Sequence, residues 1–153
     1  KRGVQCSLSV DTTTVGGNVD MFGIMRLALQ LNHLRSMDVL EVQPRRIVEL
    51  ATIDGARSLG IADRVGSLTP GKRADVAVVS MAGSPYLPWE DPAGAVVFGG
   101  SPDRVIATYV DGEARYEKGG MDWQELTAAA HSARRAMLAG PAAARPVAAA
   151  PRA

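Results

Sequence analysis

The feature that most constrains the fold is a short apolar segment near the start of the chain that ends on a carboxylate. Apolar residues alternate with polar ones along it, at Val4, Cys6, Leu8 and Val10. This alternation predicts a short buried strand. Asp11 follows the strand, and residues 12–18 are rich in threonine and glycine, which is typical of a loop. Asp11 is therefore predicted to lie where a strand passes into a strand-to-helix loop.

Asp11 has two interpretations at this position. In α/β barrels and open α/β sheets, catalytic side chains lie at the ends of strands, because the strand holds the residue while the loop opens onto the ligand. Alternatively, Asp11 caps the following turn through the backbone, which is a common role of aspartate. Position alone leaves both interpretations open, and the turn cap is the more ordinary of the two.

Composition narrows the classes of protein to which the chain can belong. Its 153 residues allow one ordinary domain or a piece of a larger one. A net charge of +1 gives no reason to expect nucleic acid or an anionic membrane as a partner. No apolar run approaches the ~20 residues needed to cross a bilayer. The first residues lack both an initiator methionine and a signal-peptide core, so we expect the chain to begin within a longer protein.

The single cysteine, Cys6, excludes a disulfide within the chain. A reducing, cytoplasmic compartment is therefore expected. Because Cys6 lies in the apolar strand and faces no obvious base, we predict a small buried hydrophobe rather than a nucleophile.

Four helices are predicted from apolar residues at three-and-four spacing. They run over residues 21–35, from Pro44 over the following two turns, over 53–59 and over 121–138. Asp20 and Thr52 are placed to cap two of them, and Gly60 is placed to end the third in the left-handed conformation. His33 and His131 lie on helices without partners, which is typical of polar-face residues rather than metal ligands.

Short strands are predicted in the second half of the chain. Residues 74–80 and 95–98 form apolar runs, and residues 104–110 and 113–117 flank Asp111-Gly112, a strong signal for a tight hairpin. Pro70-Gly71 predicts a type II turn. After Gly140 the chain contains only Ala, Pro and Arg apart from Val147, so residues 140–153 are expected to form a disordered tail.

Two stretches of the chain resemble the amidohydrolase superfamily. Residues 50–60 read LATIDGARSLG and residues 63–79 read DRVGSLTPGKRADVAVV, similar to the pattern ATxxGAxxLG…xGSLxPGKxAD of that superfamily. Residues 105–119 look like its returning hairpin, and residues 9–11 and 18–22 look like its last barrel strand and the loop after it. The nearest branch is the group of cytosine deaminases and chlorohydrolases, which includes triazine hydrolases.

The resemblance implies an α/β fold. The chain would be the C-terminal part of a (β/α)₈ TIM barrel together with part of the small β-sandwich domain of these enzymes. Residues 1–62 would supply the last barrel strand, the active-site loop and helices, residues 63–120 the β-sandwich part, residues 121–139 a C-terminal helix, and residues 140–153 the tail. A TIM barrel typically needs ~250 residues, so the partner of this chain would be the missing N-terminal barrel portion, with a homo-oligomer also possible.

The resemblance also implies the site. Asp11 falls at the strand-eight aspartate of the family, which binds one divalent metal, zinc or iron, and handles the proton of the attacking water. Thr12 and Asn18 would line the substrate mouth, whereas Lys72 and Asp75 would be structural. The family's metal-binding histidines are absent, and a catalytic zinc site needs about three protein ligands, so the chain alone is expected to be inactive. Ser9-Val10-Asp11 departs from the common Gly-Thr-Asp, which leaves the substrate open.

The residues and the resemblance leave two functions open. One is a metal-dependent enzyme that hydrolyses a C–N or C–Cl bond of a heterocyclic, nitrogen-containing small molecule, as a deaminase or chlorohydrolase does. The other is a non-catalytic association module that uses the exposed apolar faces of its helices. Neither function calls for nucleic acid or a membrane.

Overall fold

The computed structural model describes residues 3–12 and 19–139, which form a mixed α/β fold with a small antiparallel sheet. The helices are α1 (Met21–Ser36), α2 (Pro44–Ala51), α3 (Ile53–Ser58), α4 (Pro92–Gly99) and α5 (Trp123–Ala139). The strands are β1 (Val76–Val79), β2 (Val105–Val110) and β3 (Glu113–Glu117), and a 3₁₀ turn covers Pro102–Arg104. The chain divides into two compact units, Lys1–Lys118 and Gly119–Ala153.

The core of the first unit lies between α1, α2 and α4. Met25 and Leu29 of α1 are buried against Ile47 of α2 and Val97 of α4. The predicted helices over residues 21–35 and from Pro44 are confirmed, and the three-and-four spacing places these buried residues on the side that packs. Burying such side chains contributes about 1.5–3 kcal/mol each relative to full exposure.

The family-like motif forms a compact corner after α2. Gly60 ends this corner's short helix α3 with a φ of 70°, as predicted. Gly66, with a φ of 86°, packs so closely that a Cβ there would lie 2.8 Å from the Ala56 Cβ. The Lys72 ammonium donates hydrogen bonds to the carbonyls of Ala62 and Val65. Lys72 is thus used within the fold, in agreement with the structural role expected of it.

The sheet is antiparallel, in the order β1-β2-β3, with a register shift in each pairing. Asp111 and Gly112 have φ values of 55° and 81°, so the predicted tight hairpin with two positive φ angles is confirmed. Asp75 supports this turn, because its Oδ1 accepts a 2.7 Å hydrogen bond from the Asp111 amide. Pro70-Gly71 also forms the expected turn, with Gly71 at a φ of 91° and a hydrogen bond from the Lys72 amide to the Thr69 carbonyl.

The predicted strand over residues 95–98 is wrong, because these residues lie in α4. Asp91 begins this helix by accepting hydrogen bonds from the amides of Ala93 (3.0 Å) and Gly94 (2.8 Å). Pro92 occupies the first turn, where its missing N–H costs nothing. A short apolar run does not by itself distinguish a buried strand from a buried helix, and here the cap decides.

The predicted buried strand over residues 4–10 is also wrong. Residues 3–12 belong to no assigned strand, and Val4 is 74% exposed. Cys6 is exposed as well, against the prediction that it is buried. Only Leu8 contacts the core, and its amide donates a 3.0 Å hydrogen bond to the Leu50 carbonyl. A strand needs a neighbouring strand to pair with its backbone, and the described residues offer this segment none.

The predicted side-chain caps at Asp20 and Thr52 are not formed, although both residues occupy N-cap positions. The Thr52 hydroxyl instead donates a 2.7 Å hydrogen bond to the Val48 carbonyl, one turn back along α2. At the bend between α2 and α3, the Thr52 hydroxyl is therefore bonded to the preceding helix and does not cap the following one.

In the second unit, Asp122 caps α5 by accepting hydrogen bonds from the amides of Gln124 and Glu125. The helix predicted over residues 121–138 is thereby confirmed with a start at Trp123. The predicted disordered tail, residues 140–153, lies outside the described residues and stays a prediction. None of the helices in the described ranges is long and apolar enough to cross a membrane.

Candidate active site

Asp11 lies near the end of the described segment 3–12, which precedes α1 in the chain. Its backbone has a φ of 58°, in the left-handed region that non-glycine residues rarely adopt and that aspartate tolerates better than most. The Asp11 amide donates a 3.0 Å hydrogen bond to the Ser9 hydroxyl. This hydrogen bond closes a short turn between Ser9 and Asp11. The turn is held through a serine hydroxyl and the Asp11 amide, and does not use the Asp11 carboxylate.

The Asp11 side chain is exposed, and no hydrogen bond or ion pair to its carboxylate occurs within residues 3–12 and 19–139. Such a carboxylate is free to bind a cation or to accept a proton. Thr12 follows directly and has an interaction of its own. Asn18, the other predicted substrate-binding residue, lies outside the described residues, so its proposed role stays a prediction.

The histidines do not join Asp11. His33 contacts the Val42 carbonyl at 3.2 Å from its Nε2, at the end of α1. His131 lies on α5 in the second unit and is exposed. Among the described residues, no three His, Cys, Asp or Glu side chains come together in a way that could hold a metal ion. Asp11 therefore offers one hard oxygen ligand, and further ligands would have to come from elsewhere.

A link that the sequence did not predict joins the start of α1 to the end of α4. The Arg26 guanidinium donates hydrogen bonds to the carbonyls of Gly100 (2.7 Å) and Val97 (3.3 Å), which lie at the end of α4. It also lies 3.9 Å from the carboxylate of Asp20, whose Oδ1 is buried and accepts no hydrogen bond from any described residue. Arg26 thus anchors the beginning of α1, and with it the end of the loop that follows Asp11.

A second carboxylate, that of Asp54, is buried and is contacted by Gln5 of the segment that carries Asp11. Asp54 is only 2% exposed, and it is paired with Arg57 at 2.6 Å and with Arg46 at 2.5 Å. The hydrogen bond from Arg57 holds the pKa of Asp54 below its usual range, and this effect, together with the contribution of Arg46, outweighs the burial, which alone would raise it. Gln5 adds a smaller hydrogen-bonding contribution in the same direction. These contacts make Asp54 a structural anion that joins α2 to α3.

A polar cavity of about 380 Å³ lies on the β part of the first unit, away from Asp11. Ser80, Asp103, Arg104 and Lys118 are among its lining residues. The two cations are already used, because Arg104 donates to the carbonyls of Ala82 and Gly83 and Lys118 donates to that of Asp103. Because both cations already donate to backbone carbonyls, this cavity is a weaker candidate for the active site than the surroundings of Asp11.

Comparison with known proteins gives one family. The family model described as the amidohydrolase family matches residues 1–115. The chain is 32% identical over 110 residues to an S-triazine hydrolase from Gordonia rubripertincta, which covers 72% of this chain. It is 31% identical over 113 residues, or 74% of its length, to a 5-methylthioadenosine/S-adenosylhomocysteine deaminase from Teredinibacter turnerae.

A solved structure supports the same relationship. The chain superimposes on a zinc-bound adenosine deaminase from Xanthomonas campestris with a TM-score of 0.78 and 26% sequence identity, over 88% of this chain. The matched region is 31% of that structure, 23% of the S-triazine hydrolase and 26% of the Teredinibacter deaminase. The chain thus spans about a quarter to a third of the proteins that it matches.

Proposed function

The chain belongs to the amidohydrolase family, and we propose that it forms the C-terminal part of a metal-dependent enzyme that hydrolyses a C–N or C–Cl bond of a nitrogen heterocycle. The relatives that support this proposal are named as a triazine hydrolase and as deaminases. In the proposed enzyme, residues 1–62 supply the last barrel strand, its loop and helices, and residues 63–120 supply part of a β-sandwich. The missing N-terminal barrel portion would complete the site.

Asp11 carries the proposal. Its carboxylate is exposed and unpaired within the described residues, and its backbone has a positive φ near the end of the segment 3–12. A non-glycine residue held at positive φ costs of order 1–2 kcal/mol, and such strain often accompanies a functional position. We assign Asp11 as a metal ligand and as the base that accepts a proton during hydrolysis. Thr12 and Asn18 are proposed to line the substrate mouth beside it.

The proposed metal, zinc or iron, fits the chemistry of Asp11 as a single donor. A carboxylate oxygen is a suitable ligand for such ions and can also accept a proton. A divalent metal would supply activation of water and polarisation of the attacked carbon. The remaining ligands would come from the missing barrel portion, because His33 contacts the Val42 carbonyl and His131 is an exposed residue of α5. We therefore expect the 153-residue chain alone to retain no stoichiometric metal and to release no ammonia from cytosine or an aminotriazine.

The decisive experiment compares two carboxylates in the complete enzyme. Asp11→Asn keeps the shape of the side chain but removes its charge and its basicity. We expect a loss of turnover on the order of 10²–10⁴-fold, with the thermal unfolding curve unchanged. Asp20→Asn is the matched control, because Asp20 lies at the other end of the same loop and pairs with Arg26. Turnover that survives Asp11→Asn but is abolished by Asp20→Asn would refute the assignment.

The second function, a non-catalytic association module, has one observation in its favour. Several large apolar side chains of α1 and of the turn after it are exposed. The two functions differ in what would cover those side chains in the complete protein.

A further inference from the structure

The polar cavity of the first unit lies at one end of the three-stranded sheet. β1 ends just before Ser80, β2 begins just after Arg104 and β3 ends just before Lys118, and these three residues line the cavity. The Ser80 amide donates a 2.8 Å hydrogen bond to the Arg104 carbonyl, and the Lys118 amide donates a 2.9 Å hydrogen bond to the Ile106 carbonyl. Groups carried by paired strands are positioned more precisely than groups on loops. The pairing that holds the sheet therefore also holds the lining of the cavity.

Two cations in this lining are held by uncharged partners. The Arg104 guanidinium donates hydrogen bonds to the carbonyls of Ala82 (3.0 Å) and Gly83 (3.1 Å). The Lys118 ammonium donates a 2.5 Å hydrogen bond to the Asp103 carbonyl. These carbonyls position the two side chains without neutralising them. Neither cation forms an ion pair with a carboxylate in the part of the chain that the structure describes, so both positive charges remain available.

Further hydrogen-bonding groups accompany these charges. Within the described residues, Lys118 uses one of its three N–H groups, and Arg104 donates through Nη1 and Nη2 but not through Nε. The Ser80 hydroxyl accepts a 3.3 Å hydrogen bond from a backbone amide and keeps its own O–H as a donor. Ser101 and Asp103 also line the cavity. The lining therefore combines two cations and additional donors with one carboxylate, which can accept.

We propose that this cavity binds a small phosphate monoester that carries free hydroxyl groups, such as a sugar phosphate. The phosphate group accepts hydrogen bonds from Arg104 and Lys118, because guanidinium and ammonium groups form strong charge-assisted hydrogen bonds with phosphate oxygens. A hydroxyl group of the same ligand donates to the Asp103 carboxylate. This inference goes beyond the proposed hydrolysis and does not depend on it, since it assigns a ligand to the sheet and not to Asp11.

Charge and size favour this class of ligand over a simpler anion. A phosphate monoester carries a charge of about −1.5 to −2 at neutral pH, so it remains attracted to the two cations despite the repulsion from Asp103. A simple carboxylate carries a single negative charge, and its attraction to the same cations is about half as large. The volume of about 380 Å³ falls in the range of roughly 300–1,000 Å³ that is typical of small-molecule sites. The cavity therefore has room for more than the phosphate group.

The test is isothermal titration calorimetry of the complete protein with ribose 5-phosphate. We expect saturable binding at one site, which Lys118→Gln should weaken about tenfold or more, since a hydrogen bond between charged groups is lost. Arg115→Gln is the matched control, because it removes a positive charge from β3 at a residue that pairs with Glu113 and does not line the cavity. It should change the affinity by no more than about twofold, since solvent screens exposed charges. Ribose and inorganic phosphate should each bind about tenfold more weakly than ribose 5-phosphate, because each lacks one part of the ligand.

Three results would overturn the proposal. One is the absence of saturable binding at millimolar ribose 5-phosphate, and another is a Lys118→Gln variant that binds no more weakly than Arg115→Gln. The third is inorganic phosphate or ribose that binds as tightly as ribose 5-phosphate. If Lys118→Gln does not fold, hydrogen exchange of the parent decides, because ribose 5-phosphate should protect the amides of residues 101–106 and their unchanged exchange would refute the site. These measurements do not involve turnover, so their outcome is separate from that of Asp11→Asn.

Discussion

The three-stranded sheet and the segment 3–12 have similar sequences and different structures. Strands β1 and β2 are rich in valine, isoleucine, alanine, threonine and tyrosine, and the segment 3–12 alternates apolar and polar residues, so both sequences are typical of strands. In the sheet, each strand pairs along most of its length. In the segment, one backbone bond to Leu50, the half-buried side chain of Leu8 and a hydrogen bond between Gln5 and Asp54 form the attachment.

The difference shows what a strand requires beyond its own sequence. β2 and β3 are joined by a two-residue turn, so each finds its partner at a small cost in loop-closure entropy. A parallel barrel strand finds its partners only through crossover connections of a dozen or more residues. The pattern of alternating residues therefore predicts the capacity to form a strand, while the presence of a neighbouring strand decides whether that capacity is used.

The largest difference in stability between the segment 3–12 and the sheet is expected at acidic pH. Because the pKa of Asp54 is lowered from its ordinary value near 3.8 in the folded chain, its stabilising contribution is complete above that value and is lost as the pH falls through the lowered pKa. Protonation should release Arg57 and Arg46, and with them the helical support of Leu8. Hydrogen exchange should then show protection lost at the Leu8 amide before it is lost in the β2–β3 hairpin.

Asp54→Asn should remove this part of the acid dependence and should be less stable than the parent at neutral pH. Glu49→Gln is the matched control, because Glu49 contacts the same Arg46 at 3.1 Å but is partly exposed, where solvent screens the pair. The prediction fails if Asp54→Asn keeps the acid transition of the parent.

A smaller effect is expected from valine at two glycines with positive φ. Gly112→Val should cost about 2 kcal/mol, because a β-branched residue is strained at a φ of 81° within a turn that two paired strands hold in place. Gly3→Val, at a φ of 66°, should cost less than about 0.5 kcal/mol, since the chain there is unpaired and can relax. Urea unfolding of both variants measures the difference. Equal costs would mean that residue 3 is held as firmly as the hairpin.

The smallest effect concerns the attachment of the segment itself. Leu8→Ala should cost about 1–2 kcal/mol, below the range for a fully buried leucine, because Leu8 is only half-buried against the core. Val4→Ala, four residues earlier and largely exposed, is the matched control and should change stability by less than about 0.5 kcal/mol. If the two variants are equally stable, Leu8 does not anchor the segment.

The elements that the sequence predicts correctly are those whose signals are local. Asp111-Gly112 requires two positive φ angles and so identifies the hairpin, and Pro44 marks the start of α2. The helix α4 escapes prediction because the run 95–98 is apolar at every position, although Asp91-Pro92 just before it carries the signal of a cap followed by a proline in the first turn. The strand predicted at residues 4–10 is wrong because no described strand lies beside this segment to pair with it.

The candidate site likewise has parts that the sequence predicts and parts that it does not. The structural use of Lys72 and Asp75 follows from the sequence, whereas the role of Asp11 stays a prediction. The anchor made by Arg26 does not, because it depends on the carbonyls that end α4 and therefore on a helix that the sequence did not predict. The remaining metal ligands do not follow from this chain at all, since the histidines of the family pattern are absent from it.

The exposure of Cys6 has a practical consequence. It is the single thiol of the chain and lies five residues before Asp11, so a nitroxide reagent would modify this chain at one chosen position. The spectral line of that label reports motion on the nanosecond timescale. It would be narrow where the segment has no strand neighbours and broad once strands close on both sides of it. If the proposed barrel strand forms in the complete enzyme, a label at Cys6 would report its formation.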